Sequence, residues 1–117
     1  SFRREGMKGS DWIGKEDYRQ KVLARETQLG DDKIIQIVEV DPGDHVKPHK
    51  HYSTREIYVI QQPGGRIRIE DKEYETEKDQ VIVCEPGQVH EVINDSENTL
   101  RILVFKTGHT VNDTHWL

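Results

Sequence analysis

The chain has 117 residues, the length of a single domain, of which 33% are charged and 32% apolar. A net charge of −5, from 17 Lys and Arg against 22 Asp and Glu, argues against nucleic acid as a partner, because nucleic-acid binding needs a basic surface. No apolar run approaches the ~20 residues of a membrane-spanning helix, so a membrane partner is not expected either. The apolar residues occur in clusters, and this clustering favours a folded domain over a disordered chain.

Two features bear on where the chain begins and where it works. The only methionine is Met7, so we interpret residues 1–6 as a remnant of cloning and expect the native chain to begin at Met7. No basic and then apolar leader is present, and the single cysteine, Cys84, excludes an internal disulfide. Both features predict a protein of the reducing cytoplasm.

The first ambiguous stretch in chain order is residues 10–29. Ser10 and Asp11 can cap a short helix, but a loop followed by an outer strand at residues 21–25 is the alternative that we prefer. We expect residues 7–30 to pack on the main body of the domain. The polar tail, residues 107–117, ends in Trp116, which we expect to dock on the protein rather than to project into solvent.

Between residues 31 and 106, short bursts rich in Val and Ile alternate with turn signals. The bursts cover residues 34–40, 57–60, 66–70, 73–75, 81–84, 89–93 and 100–105. Elements of four to eight residues at this spacing predict an antiparallel, all-β sandwich or barrel. Asp71 and Lys72 stand where a two-residue hairpin turn is expected.

The period of two along a strand assigns side chains to faces. Glu56, Tyr58 and Ile60 share one face of their strand, whereas Ile57 and Val59 share the other. Both faces therefore look partly buried, and an apolar outer face suits a second copy of the chain. We predict a homodimer.

Six histidines are present, and the sequence context singles out three of them as metal ligands. The six are His45, His49, His51, His90, His109 and His115. His49 and His51 lie two apart, so in an extended segment their imidazoles point to the same side. Glu56 begins the next strand, and His90 follows the tight Pro86-Gly87 turn. Three imidazoles and one carboxylate match the ligand preferences of zinc, iron(II), nickel and manganese.

The same residues resemble the two sequence motifs of the cupin superfamily. The first motif is matched by Gly43-(x5)-His49-x-His51-(x4)-Glu56, with Gly64 one residue beyond the position of the motif's final glycine. The second is matched by Pro86-Gly87-(x2)-His90-(x3)-Asn94. Pro63, Asp79 and Glu85 depart from the motifs, at turn positions rather than at ligand positions. The resemblance covers about two-thirds of the chain.

The resemblance implies a cupin-type antiparallel β-barrel of the jelly-roll (double-stranded β-helix) type, with one divalent metal ion held inside one end. It carries His49, His51, Glu56 and His90 over as ligands of Mn, Fe, Ni or Zn. Asn94 carries over as a hydrogen-bonding residue rather than a ligand. In an octahedral ion, two coordination positions would stay open for substrate or dioxygen.

Several other residues are weaker candidates. Tyr58 shares a face with Glu56 and is our only catalytic candidate, although a barrel aromatic more often belongs to the core. Cys84 is interpreted as a small buried hydrophobic residue, and Gln36 as a polar cavity residue if its face points inward. His45 lies on the parity of His49, but we favour a solvated turn residue. We place His109 and His115 on the surface, and a tail folded over the mouth of the site is the alternative. Three basic residues near the ligands are candidate substrate anchors or solvated charges: Lys47, Lys50 and Arg55.

Two functional hypotheses are open at this point. The resemblance implies a metal-dependent enzyme, such as an isomerase, epimerase, decarboxylase or dioxygenase, acting on a sugar, a sugar phosphate or an oxo or hydroxy acid. The alternative is a cupin that binds a small molecule without turnover. A purely structural metal is disfavoured, because structural sites prefer closed shells with sulfur ligands.

Overall fold

The computed structural model describes residues 11–117 and folds them into two antiparallel β-sheets. The elements are β1 (Ile13–Gly14), β2 (Arg19–Ala24), α1 (Glu26–Leu29), β3 (Ile34–Val40), β4 (His45–His51), β5 (Arg55–Gln62), β6 (Arg66–Ile69), β7 (Lys72–Glu75), β8 (Val81–Cys84), β9 (His90–Ile93), β10 (Leu100–Thr107) and β11 (Thr114–Trp116). The interpretation of residues 1–6 as a remnant lies outside the described residues.

One sheet has the strand order β1-β2-β3-β10-β5-β8, and the other has the order β11-β4-β9-β6-β7. Strands far apart in sequence, such as β3 and β10, lie side by side, as the crossovers of a jelly roll require. The predicted all-β, antiparallel jelly-roll fold is confirmed. No helix within residues 11–117 is long and apolar enough to cross a membrane.

The core lies between the two sheets and follows the alternation of each strand. Its largest fully buried apolar side chains are Ile60, Ile67, Leu100, Val40 and Val104. In β10 the alternation is regular, with Leu100, Ile102 and Val104 buried and the residues between them partly exposed. Burying apolar side chains in this way contributes roughly 25 cal/mol per Å² of area removed from water.

At the N-terminal end, the preferred alternative of a loop and an outer strand is correct. β2 spans Arg19–Ala24 and pairs with β3, so this segment extends the first sheet. The only helix in the described part of the chain is α1, one turn that follows β2. The predicted position of the β6–β7 turn is wrong by one residue, because Glu70 and Asp71 form the turn and Lys72 already pairs with Ile69. Glu70 takes up the positive φ of 55° that this turn needs.

Turn residues that depart from the cupin motifs are accommodated by local geometry. Asp79 stands where the second motif has glycine, and its φ of 68° keeps the left-handed conformation that aspartate tolerates better than most residues. At the end of the first motif, a Cβ on Gly64 would lie 2.6 Å from the carbonyl oxygen of Asn98. A Cβ on Gly65 would lie 2.2 Å from the carbonyl oxygen of Ile93. The chain therefore needs two glycines after Pro63, where the backbone passes close to the β9–β10 region.

A bulge in β4 changes which histidines face the interior. The pairing of β4 with β9 shifts between Val46 and His49, at the segment that contains Pro48. Since an extra residue in one strand reverses the parity of the residues after it, Val46 and His49 both point inward. His45 instead points outward and pairs with Glu91, with 2.6 Å between His45 Nε2 and the carboxylate. The interpretation of His45 as a residue outside the site agrees with this geometry.

Candidate metal centre

Three buried histidines converge at one end of the space between the sheets. His49 and His51 come from β4, and His90 is the first residue of β9. One ring nitrogen of each lies within 4.8 Å of one ring nitrogen of the other two. The β4–β9 pairing sets His49 directly opposite His90, so the sequence-distant third histidine is placed by strand register. The structure therefore brings together the three histidines singled out by the sequence.

Each of these imidazoles is oriented by a backbone carbonyl. His49 Nδ1 donates to the Lys47 carbonyl at 2.8 Å, His51 Nδ1 to the Asp113 carbonyl at 3.1 Å, and His90 Nδ1 to the Gln88 carbonyl at 3.1 Å. A carbonyl only accepts, so Nδ1 carries the proton in all three rings. The lone pair of a neutral ring then lies on Nε2, which is the arrangement that metal-binding histidines show.

Glu56 supplies a carboxylate at the same place. Its Oε1 lies 3.3 Å from Nε2 of His51 and 3.3 Å from Nε2 of His90. His90 Nε2 is fully buried and has no hydrogen-bond partner within residues 11–117. Electron-pair donors that face one another without water need a cation between them, either a proton or a metal ion. The donor set thus fits a divalent transition metal.

The pKa values follow from this crowding. Burial lowers the pKa of His49 to about 4, and the rings of His90 and His51 act in the same direction. Burial also opposes protonation of His51, but the hydrogen bond and the charge of Glu56 outweigh it and raise the pKa of His51. Burial opposes ionisation of Glu56, yet the His51 and His90 rings that face its carboxylate and the charge of Lys106 hold its pKa well below the ordinary value. The centre therefore keeps an ionised carboxylate close to a neutral His49 ring.

A cavity of about 260 Å³ opens onto these residues. Polar side chains, the three histidines among them, form part of its wall, and Val92, Ile102 and Val104 contribute apolar surface. This volume is slightly below the range of about 300–1,000 Å³ that is usual for ligand sites. The cavity suits a ligand of a few carbon atoms.

The C-terminal tail supports the centre, which the sequence analysis did not predict. The Asp113 carboxylate accepts backbone N–H bonds from Tyr52, Ser53 and Thr54 at 2.8–3.0 Å, and hydroxyl bonds from Ser53 and Thr54 at 3.1 and 2.7 Å. Burial opposes its ionisation, but these donors, the Thr54 hydroxyl first, hold the pKa of Asp113 well below the ordinary value. The bonded loop joins His51 to Glu56. Asp113 therefore fixes the segment between two candidate ligands, and its own carbonyl orients His51.

The tail also forms β11, which pairs with β4 so that Trp116 lies opposite His49. The indole packs on the His49 ring with 4.6 Å between the ring centroids. Trp116 therefore contacts the protein through one face of its ring, while 54% of the residue stays exposed. His115 stacks on Tyr52, with 4.1 Å between the centroids, and has no part in the cavity wall. His109, expected on the surface, is instead half-buried and lines the cavity, because the tail folds back over this end.

Tyr58 lies in the cavity wall, and its hydroxyl donates a short hydrogen bond to Glu56 Oε1. Burial, followed by the charge of Glu56, raises the pKa of Tyr58 well above its ordinary value. The phenol therefore stays protonated and orients the carboxylate. A catalytic role for Tyr58 stays a prediction.

Two further sequence interpretations agree with the geometry. Cys84 is buried with its Sγ 3.3 Å from His90 Nδ1, and burial raises the pKa of its thiol to about 12, so it behaves as a packing residue. Asn94 is 1% exposed and lies away from the cavity wall. Its amide donates to the carbonyls of Val40 and Asn98, both at 2.8 Å, and thus closes the turn after β9.

The structure places the candidate anchors outside the cavity and supplies a different one. Lys50 lies over the Tyr52 ring at 5.3 Å, Arg55 pairs with Glu85 at 3.0 Å, and Lys47 borders a separate surface hollow near Trp116. None of the three lines the cavity. Lys106 does, with its side chain 14% exposed, and so does the exposed Lys15. The sequence could have indicated the position of Lys106, because this residue lies two residues after Val104 and so falls on the same inward face of β10 as Leu100, Ile102 and Val104.

Comparison with known proteins assigns the family. The family model of the cupin domain matches residues 36–106. The chain is a cupin. A sequence relative, an uncharacterized protein of Methanocaldococcus jannaschii, is 31% identical over 64 residues, which make up 55% of this chain and 51% of that protein. This cupin thus spans about half the length of the curated relative that it matches.

Solved structures similar to this cupin agree on the fold. A predicted oxalate decarboxylase from Thermotoga maritima has a TM-score of 0.75 at 20% identity, covering 85% of this chain and 91% of that one. KdgF from Halomonas sp. has a TM-score of 0.72 at 18% identity, over 87% and 89% of the two chains. A cupin-2 domain protein from Rhodospirillum rubrum has a TM-score of 0.77 at 13% identity, over 100% and 79%. At these identities the likeness shows the fold alone.

Proposed function

We propose that this cupin holds one divalent transition-metal ion through His49, His51, Glu56 and His90, and that it is an enzyme acting on a small oxygenated metabolite. The observation that carries the proposal is the buried, unpartnered Nε2 of His90, which faces a carboxylate oxygen at 3.3 Å. This donor set opens onto a cavity rather than being closed on all sides. Catalytic metal sites keep such an open side, whereas structural sites do not.

A metal bound here would supply Lewis-acid polarisation of a carbonyl or hydroxyl oxygen, or dioxygen binding if it were redox-active. The chain itself provides the other requirements. Glu56 contributes one negative charge, and the Tyr58 hydroxyl holds that carboxylate in place. The apolar wall of Val92, Ile102 and Val104 limits water around the reacting atoms.

The alternative function is small-molecule binding without turnover. It is favoured by one observation: the Tyr58 phenol is committed to Glu56, so it is not free to give or take a substrate proton. A binding protein needs no such proton transfer. The enzyme proposal, by contrast, is compatible with the oxalate decarboxylase activity predicted for the Thermotoga maritima protein.

The deciding experiment is elemental mass spectrometry of untagged protein purified without chelators or nickel resin. About one equivalent of Mn, Fe, Ni or Zn per chain is expected. The metal found then directs the substrate screen, since zinc favours polarisation chemistry and iron or manganese adds dioxygen chemistry. Protein that contains no metal and takes none up would refute the proposal.

We also propose that the protein works in the cytoplasm. This location is supported by Cys84, a reduced and buried thiol with no cysteine partner in the sequence. Fractionation of native cells with an antibody against the chain would test it, and recovery in an exported fraction would contradict it.

A further inference from the structure

The cavity wall carries further polar side chains that the proposed metal site does not use. They include Tyr18, Gln20, Gln36 and Lys106. Gln20 and Gln36 are brought together by the β2–β3 register, which pairs Gln20 with Val38 and Val22 with Gln36. Lys106 stands on the neighbouring strand, where it pairs with Ile34 and Glu56. Three adjacent strands thus present polar groups to one side of the cavity.

Gln36 lines the cavity from β3 and is only 5% exposed. Its amide atoms are not among the fully buried, unpartnered side-chain atoms of residues 11–117, so the accessible part of the side chain faces the cavity. An amide in such a place is usually satisfied by a ligand or by water. Its place in the cavity wall makes the ligand the candidate partner.

The Lys106 ammonium is without a close acceptor. Its nearest carboxylate oxygen, Glu56 Oε2, lies 3.8 Å away, which is longer than the 2.7–2.9 Å typical of a charge-assisted hydrogen bond. The other oxygen of Glu56 faces His51 and His90. Lys106 therefore keeps donors that can serve a ligand while it stays close to the centre.

The formal charges of the side chains in the cavity wall indicate whether that ligand is an anion or a neutral molecule. Lys15 and Lys106 each contribute +1 and Glu56 −1, so the cavity carries +1 without a metal, and a divalent ion with neutral imidazoles brings the sum to +3. A buried excess of positive charge favours an anion over a neutral molecule of the same shape.

We propose that these side chains form a carboxylate subsite: Lys106 pairs with the carboxylate of a small hydroxy or oxo acid, and Gln36 hydrogen-bonds a neighbouring oxygen. The inference rests on the proposed function, because the metal provides the charge that makes an anion favourable. The small cavity limits the acid to a few carbons. An ammonium group beside an amide suits a carboxylate better than a phosphate, which usually recruits arginine or several backbone N–H groups.

Cobalt(II)-loaded protein tests the inference with glycolate as probe, ethylene glycol as its neutral analogue, and inorganic phosphate as the competing anion. Calorimetry measures affinity, and the visible spectrum of cobalt reports ligand arrival at the metal. Glycolate is expected to bind, and Lys106→Met is expected to weaken it about 10–100-fold, the range of a hydrogen bond to a charged group. Gln36→Leu should weaken glycolate less, because it removes a neutral donor.

Lys50→Met is the matched control, since Lys50 lies over Tyr52 outside the cavity and should leave glycolate affinity unchanged. Every variant should keep one cobalt per chain. Equal affinity for glycolate and ethylene glycol, no effect of Lys106→Met, or phosphate binding more tightly than glycolate would each overturn the carboxylate subsite alone. Wild-type protein that takes up no cobalt would overturn the metal proposal as well, so the two failures are distinct.

Discussion

Single residues at the centre differ sharply in what they contribute, although several are histidines on the same strand. His49 and His90 each give an inward Nε2 fixed by a carbonyl bond on the other ring nitrogen, whereas His45 points outward to Glu91. The difference between His45 and His49 comes from the bulge at residues 46–49 rather than from residue type. Substituting each histidine in turn therefore tests whether metal binding depends on where the side chain points rather than on the presence of a histidine.

His90→Ala is expected to weaken metal affinity by more than about 100-fold, because even residues that only support a ligand are worth about 10–100-fold. His45→Ala should leave one equivalent of metal bound, and so should His115→Ala and Asn94→Ala. The measurement is metal content after dialysis against a competing chelator of known affinity. Unchanged metal in the double variant His49→Ala/His90→Ala would end the metal proposal.

At the scale of elements, the sequence was most informative where the strand period is regular. The inward and outward faces of β5, β6 and β10 follow from the alternation of apolar and polar residues. The spacing of His49 and His51 located the metal centre. Both patterns can be recognised from residues that are close together in the sequence. The bulge in β4 was not predictable, since it depends on the register with β9. The role of the tail was not predictable either, because Asp113 bonds residues 59 to 61 positions away and its own surroundings are polar. The subsite at Lys106 was missed because the predicted strand ended at residue 105.

The bonded loop between His51 and Glu56 is the element that most depends on a single side chain. Asp113→Asn removes a charged acceptor of five hydrogen bonds and is expected to lower the free energy of unfolding by about 1.5–3 kcal/mol. Metal affinity should fall with it, because the same residue orients His51. Urea unfolding at pH 7 measures the first effect, and Asp71→Asn, at an exposed turn, is the control.

The pH dependence of this effect has a definite sign. The folded protein lowers the pKa of Asp113 below its unfolded value of about 4, so the stabilisation is present above pH 4 and is lost as the pH falls below it. The stability gap between wild type and Asp113→Asn should therefore be constant from pH 7 to 5 and narrow toward pH 2. A gap that is independent of pH would mean that the charge of Asp113 is not the stabilising feature.

The two glycine positions that flank the first motif offer a second test at this scale. Gly43 and Gly65 both have positive φ, +88° and +73°, but only Gly65 would place a Cβ against the backbone, 2.2 Å from the Ile93 carbonyl. Gly43→Ala should cost about 1–2 kcal/mol for the backbone conformation alone. Gly65→Ala should cost at least about 1–3 kcal/mol more, or prevent folding. If urea unfolding shows the same loss of unfolding free energy for both variants, the backbone near Ile93 moves aside to accommodate a Cβ at residue 65.

At the scale of the whole molecule, the two outer faces have opposite character. Strand register places two apolar rows across the outside of the first sheet: Leu103, Val59 and Val81 beside Ile37, which is only 7% exposed, and Ile35, Phe105, Ile57 and Val83. Val81 and Val83 on β8 are 59% and 37% exposed. The outside of the second sheet instead carries ion pairs, such as Arg66 with Glu73 and Arg68 with Glu91. An extended apolar face of this kind is typical of an interface.

We propose that a second copy of the chain covers this apolar face, so light scattering after size exclusion should give twice the chain mass of 13.7 kDa. Leu103→Lys is expected to give monomers, because two copies would bury unpaired ammonium groups. Val81→Lys serves as a second variant, since a side chain that is 59% exposed in the protomer contributes little to folding, and its effect reports the interface. Ile93→Lys, on the outside of the second sheet, is the matched control and should remain dimeric.

Because the ligands and the cavity wall all come from one chain, the monomeric variants should keep their metal. A wild-type mass of one chain would refute the dimer, and loss of metal on dissociation would show that the centre depends on the interface.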